Sequence, residues 1–136
     1  MTQESPYPFQ EHLGFTITDW RQDYCRLEQP MRPYLGNRNG ALHGGVSAAL
    51  LDTAMGYACC YSADPDQVLR TVTLSLNVNY IAPPKGDVLI TEARRVGGGR
   101  TTIFNEAILT DNAGNTIATA TGVFRRIKMD DTQKGP

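Results

Sequence analysis

No apolar run in the chain approaches the ~20 residues that a membrane-spanning helix requires, so no helix is expected to cross a bilayer. There is no basic excess either. Thirteen Lys and Arg stand against fourteen Asp and Glu, a formal charge of −1. That balance argues against a general binder of nucleic acid or of an acidic membrane surface, both of which are usually met with a basic face. Cysteine is scarce: three residues, two of them adjacent (Cys59, Cys60), do not make a disulfide framework, and a reducing, cytoplasmic home is expected. His12 and His43 are the only histidines, too few for a His-based metal site. The start, MTQESPYPF, lacks a basic segment followed by an apolar one, so no secretory signal is expected.

Linkers, repeats and low-complexity tracts are also missing. At 40% hydrophobic and 20% charged the chain is globular in composition. Its length suits a single domain over residues 1–136, with 1–6 and 128–136 as flexible ends.

The hydrophobic pattern changes character three times. A short helix is expected at Tyr7–Leu13, then strands near Gly14–Trp20 and Tyr24–Met31, stopped by Pro30 and Pro33. A glycine-rich loop, PYLGNRNGALHGG, leads into Val46–Tyr61, where apolar residues occupy every face. A helix apolar all round is a buried one. The last half is β. Val72, Leu74, Leu76, Val78 and Tyr80 alternate strictly with Thr73, Ser75, Asn77 and Asn79. Further strands are expected at Val88–Val96, Thr101–Leu109 and Thr116–Ile127, with a break at Gly97–Gly99 and hairpin residues at Asp111–Asn115. Strands joined by short turns are antiparallel neighbours. The expected architecture is α+β: one antiparallel sheet of about six strands wrapped around one long buried helix.

Asp52 is the only charged residue between His43 and Asp64. Aspartate is a poor mid-helix residue, and burying its carboxylate is costly unless it is paired or protonated. It is either a functional acid or a residue facing solvent or neighbouring hydroxyls. His43-Gly44-Gly45 opens the same helix. The first N–H groups of a helix lack internal partners and carry the positive end of its dipole. Glycine there lets a substrate approach, so the turn can polarise a carbonyl. The alternative is a plain cap, with His43 bracing the loop.

These residues carry a resemblance. Asn37 to Gly45, NRNGALHGG, followed by Leu51-Asp52-Thr53-Ala54, closely resembles the signature of hotdog-fold acyl-CoA thioesterases, of the phenylacetate-degradation type. The pattern is N-x-x-G-x-x-H-G-G, six residues, then the acid. It continues through Asn77–Pro83, Gly97–Thr101 and Ala118–Gly122 and covers nearly the whole chain. The hotdog fold is the sheet-wrapped helix inferred above.

The resemblance implies roles. Asp52 matches the catalytic carboxylate, nucleophile or general base on water. Gly44 matches the glycine whose N–H polarises the thioester carbonyl, with Gly45 beside it on the substrate side. Asn37 matches the polar residue near the thioester, and His43 the histidine beside it. Thr73 falls where relatives place a Ser or Thr that orients the attacking water. Gly98, Gly99, Arg100 and Thr101 lie where relatives hold the coenzyme A nucleotide, although the triple glycine is longer than the usual glycine–basic step.

Arg94, Arg95, Arg100 and Lys85 form a candidate phosphate-binding cluster, or else an ordinary charged strand end. Arg125, Arg126 and Lys128 read as surface. Cys59 and Cys60 read as small core residues rather than nucleophiles. Trp20 reads as structural, and Tyr57 and Tyr61 are candidates for lining an acyl pocket.

The expected activity is hydrolysis of an acyl-CoA thioester to a carboxylic acid and free coenzyme A. No metal and no redox cofactor is required; coenzyme A is part of the substrate. Two rivals stand beside this reading, a hotdog-fold hydratase or dehydratase and a non-catalytic acyl-CoA binding module. Self-association is expected as well. Gly44 and Asp52 are eight residues apart, ~12 Å along one helix, too far to serve one carbonyl. Two copies of the helix across a two-fold axis bring Asp52 of one to Gly44 and Asn37 of the other. A homodimer, or a homotetramer of paired dimers, follows.

Overall fold

A computed structural model describes residues 4–129. Pro8 opens a short helix, α1 (Pro8–Leu13), at a position where its missing N–H has no partner to lose. Strands β1 (Thr16–Arg21) and β2 (Tyr24–Pro30) form a tight hairpin. A 3-10 turn at Pro33–Leu35 leads to a loop closed by a Gly36–Leu42 bridge. The long helix α2 (Gly44–Cys60) follows, then β3 (Val68–Tyr80), β4 (Val88–Gly98), β5 (Thr102–Asp111) and β6 (Thr116–Met129).

The six strands make one sheet in the order β1-β2-β4-β5-β6-β3, and all neighbours are antiparallel. The excursion from β2 to β3 carries the chain from one side of the sheet to the far edge, and α2 is that excursion. It crosses the inner face and touches every strand. Leu50, Leu51 and Met55 are fully buried there against Leu27, Leu89, Ile103, Leu109 and Phe124. Each such side chain contributes roughly 1.5–3 kcal/mol by leaving water. Arg126 donates from Nε to the Cys59 carbonyl at 2.7 Å, closing the C-terminal end of α2.

The helix pattern is apolar all round, but the sheet encloses one side of it. Ser47, Leu50, Leu51, Ala54, Met55, Ala58 and Cys59 are buried, whereas Ala48, Ala49, Asp52, Thr53, Gly56, Tyr57 and Cys60 are half-buried.

The structure departs from the sequence expectations at four places. Helix α2 starts at Gly44, two residues before the apolar run, because the N-terminal turn needs no apolar side chains. Gly97 and Gly98 belong to β4 and pair with Phe104 and Ile103, after a register shift beyond Arg95. The break narrows to residues 99–101. Gly98 sits at φ +103°, and a Cβ there would lie 2.3 Å from the Thr102 carbonyl oxygen, so a side chain is excluded. Strand β6 runs to Met129, past the Ile127 expected for the last strand; of the ends expected to be flexible, residues 1–3 and 130–136 lie outside the described residues.

The fourth departure concerns β3. It begins at Val68 rather than Val72, and its alternation does not define one face. The register with β6 shifts between Thr73 and Ser75, leaving Leu74 as an extra residue. Cross-strand partners share a face. Thr73, opposite buried Phe124, therefore points toward α2, and beyond the bulge so do Leu76, Val78 and Tyr80, opposite Gly122, Ala120 and Ala118. A polar and an apolar set, separate in the sequence pattern, share the helix side of one strand.

Candidate functional site

Strand β3 runs antiparallel to α2 and is fastened along it by three side-chain hydrogen bonds. Tyr80 donates its hydroxyl to the Gly44 carbonyl at 2.7 Å, Thr73 Oγ1 donates to Asp52 Oδ1 at 2.7 Å, and Thr71 Oγ1 donates to the Gly56 carbonyl at 3.3 Å. The bulge at Leu74 is what allows this, since it keeps Thr73 on the helix side. Asp52 is half-buried and hydrogen-bonded, which accounts for its survival in an apolar helix.

Asp52 opens onto a cleft of about 320 Å³. Thr53, Gly56, Tyr57 and Cys60 of α2 form one wall, Leu69, Arg70, Thr71 and Thr73 of β3 another, and Phe124 the floor; Tyr7 and Glu4 of the N-terminal segment cover one side. Burial raises the hydroxyl pKa of Tyr7 and of Tyr57, and pushes the Cys60 thiol up to about 12. All three stay protonated near neutral pH and are poor nucleophiles. Cys59 is buried as expected; Cys60 is half-buried, packed against the core, and also lines the cleft. Tyr57 lines it too, while Tyr61 instead packs edge-on to Trp20 at 5.7 Å.

The first turn of α2 is held by His43, whose Nδ1 accepts from the Gly45 N–H at 2.8 Å. His43 is a cap, and its ring is otherwise exposed. The Gly44 N–H, in the first turn, has no intrahelical acceptor. Asn37 Oδ1 accepts from the N–H groups of Asn39 and Ala41 at 2.9 and 3.1 Å. Its carbonyl oxygen therefore shapes the loop, and its Nδ2 makes no hydrogen bond among the described residues. Within one chain Asp52 and Gly44 are eight residues apart on α2, ~12 Å along the β3–α2 contact.

The basic residues do not form the single cluster expected. Lys85 precedes β4, whereas Arg94 and Arg95 lie in its second half, so ~20 Å of extended strand separates them. Arg94 is paired with Glu106 through Nε at 2.6 Å on the outer face. Arg95 donates to the Gly97 and Gly99 carbonyls at 3.2 and 2.8 Å and so holds the β4–β5 hairpin. Arg100 and Thr101 are exposed at its tip. Thr102 pairs with Arg125, and Arg125 with Val72, so the hairpin stands two strand spacings, about 10 Å, from the strand that carries Thr73. Arg125, read from sequence as surface, faces out beside this hairpin. Tyr7, Thr53 and Tyr80 were not visible in the sequence as site residues. Thr53 and Tyr80 fall within stretches that carry the resemblance, but nothing there gave them a role, and the placement of Tyr7 and Tyr80 depends on the N-terminal segment and on the bulge.

A larger hollow of about 580 Å³ lies on the outer face of the sheet. Its polar groups satisfy one another through the Arg94–Glu106 and Tyr24–Glu92 pairs, and no unpaired carboxylate faces it beside a helix start.

Residues 39–118, more than half the chain, match the thioesterase superfamily model. The chain belongs to that superfamily, and its fold is the hotdog. It is 32% identical to a Halobacterium salinarum protein provisionally named an esterase, over 87% of this chain and 83% of the relative. It is 27% identical to the medium/long-chain acyl-CoA thioesterase YigI of Escherichia coli, over 86% and 84%. The structure superposes with a TM-score of 0.79 on a thioesterase family protein from Silicibacter pomeroyi, at 27% identity over 89% and 90% of the chains. The protein is a hydrolase of this superfamily.

Proposed function

We propose that the chain hydrolyses acyl-CoA thioesters to a carboxylic acid and free coenzyme A, with Asp52 as nucleophile or general base. The observation that carries this reading is the Asp52 carboxylate, held by Thr73 at the head of an open cleft on the same helix that Gly44 begins. As nucleophile, Asp52 attacks the carbonyl carbon, the C–S bond breaks, coenzyme A leaves as its thiolate, and water opens the anhydride. As base, it takes a proton from water while that water attacks the same carbon. The Gly44 N–H polarises the carbonyl oxygen in either case. Thr73 orients the carboxylate and the water; Asn37 and His43 shape the thioester's surroundings. Gly45 borders the substrate, and Gly98, Gly99, Arg100 and Thr101 receive the nucleotide. The route requires no metal or redox cofactor. The acyl-CoA name of YigI supports the substrate class.

The working unit is a homodimer. Strand β3 is a sheet edge with thirteen residues, and Val72, Leu74, Leu76 and Tyr80 are exposed on it. Such an edge is a template for pairing. The opposite edge, β1, has six residues and carries Asp19 and Arg21. Thr73, Asn77 and Tyr80 pair with Phe124, Thr121 and Ala118, so Thr73 and Tyr80 lie three ladder positions on either side of Asn77. Antiparallel pairing of two β3 edges about a two-fold axis near Asn77 sets Thr73 of one copy opposite Tyr80 of the other. Asp52 then faces Gly44 of the partner subunit, twice.

The test is release of free thiol from a panel of aryl and aliphatic acyl-CoA substrates by the wild type and by Asp52→Ala. Turnover by the wild type and a loss of at least ~100-fold in a folded Ala variant are expected. Binding without turnover, enoyl-CoA hydration in place of hydrolysis, or a fully active Ala variant contradicts the reading.

A further inference from the structure

We infer that Tyr80 is a positioning residue for this hydrolysis: it clamps the turn whose Gly44 N–H meets the thioester carbonyl. The inference rests on the roles proposed for Asp52 and Gly44.

An N–H that stabilises developing charge has to be held in place before the charge appears. Helix α2 begins with two glycines, the residue with the greatest backbone freedom, so the turn cannot hold itself. Two side chains do so. His43 accepts from the Gly45 N–H at 2.8 Å, and Tyr80 donates to the Gly44 carbonyl at 2.7 Å. The tyrosine ring also lies over the turn, since a Cβ on Gly44 would stand 3.4 Å from ring carbons. Tyr80 is itself anchored. It ends β3, and the next two residues both donate their N–H groups to the Ile117 carbonyl, at 2.8 and 3.2 Å. Although its hydroxyl is engaged, Tyr80 is 58% exposed in the single chain, on the sheet edge where the partner's Thr73 and Asp52 would arrive. The strand that orients the acid through Thr73 therefore also orients the carbonyl-binding turn through Tyr80.

Tyr80→Phe removes the hydroxyl and keeps the ring. The expected result is a folded dimer of unchanged Tm whose kcat falls about 10-fold while KM stays within about 2-fold, because the lost constraint matters in the transition state. A double-mutant cycle with His43→Ala separates positioning from general stability. If both side chains hold one turn, the second substitution costs clearly less than it does alone. Unchanged kcat, a loss confined to KM, strict additivity, or a fall in Tm or in dimer mass that accounts for the lost turnover would overturn the inference. Asp52→Ala is run beside these variants. An inactive Asp52→Ala with a fully active Tyr80→Phe removes Tyr80 alone; an active Asp52→Ala removes the Asp52 reading and this inference with it.

Discussion

Thr73 Oγ1 donates a 2.7 Å hydrogen bond to Asp52 Oδ1 across the boundary between β3 and α2. The bond exists because Leu74 is an extra residue in the strand: the bulge lets Thr73 face the helix while Val78 and Tyr80, five and seven residues on, face it too. One irregularity thus sets the rotamer of the acid and keeps the rest of the strand packed. If Thr73 positions the carboxylate, Thr73→Val should lower kcat about 10-fold, with Tm changed little. Its effect should vanish in an Asp52→Ala background, since the partner is gone. Steady-state kinetics on the four proteins of the cycle checks this. Full additivity would separate Thr73 from Asp52.

The exposed β3 edge gives a second prediction. Leu74→Lys combined with Leu76→Lys puts like charges on facing strands and should leave a folded monomer near 14.9 kDa. Turnover should drop by at least ~100-fold, because Asp52 then has no facing Gly44. Light scattering coupled to gel filtration, with activity measured on the same fractions, decides it. An active monomer would refute the shared site.

Arg100 and Arg94 should behave differently although both lie near the end of β4. Arg94 is occupied by Glu106, and Arg94→Ala should change little. Arg100→Ala should weaken binding of acyl-CoA about 10-fold, as loss of a charge-assisted phosphate contact does. It should leave an acyl-pantetheine without the nucleotide unaffected. Equal effects on both substrates would make Arg100 ordinary surface charge.

Much of this was legible in the sequence, for reasons that separate cleanly. The strands expected near Tyr24–Met31, Val88–Val96, Thr101–Leu109 and Thr116–Ile127 appear as β2, β4, β5 and β6 with alternating buried positions, because a sheet half-covered by a helix demands period two. The acid in an apolar helix and the double glycine stood out because each is unfavourable where it sits unless something uses it. The faces of β3 were not legible. A bulge changes which residues share a side without changing composition, so Thr73 and Tyr80 could not be seen to share one helix. The cluster of Lys85 with Arg94, Arg95 and Arg100 failed for a similar reason. Nearness in sequence becomes distance when the intervening residues form an extended strand.

Asp111 supports a prediction about pH. Its carboxylate accepts from the N–H groups of Lys85, Gly86, Ala113 and Asn115, joining two turns at one end of the sheet. Those donors hold its pKa well below the usual carboxylate range. A pKa depressed in the folded state means stability that is present above the unfolded value, about 4, and is lost as pH falls below it. The Tm should therefore decline below pH ~4 in the wild type, and Asp111→Asn should start several degrees lower and decline less steeply. Parallel melting curves from pH 6 to pH 2.5 would expose the opposite trend.

The most direct measurement is complementation between two inactive variants. Asp52→Ala and Asn37→Ala subunits are unfolded, mixed in equal amounts and refolded together. If each site takes Asp52 from one subunit and Asn37 and Gly44 from the other, a mixed dimer holds one site with both defects and one intact site. Random pairing makes half of the dimers mixed, so roughly a quarter of wild-type activity should return. If mixed dimers form and the activity stays at the level of the parents, each site belongs to a single chain and the account is wrong.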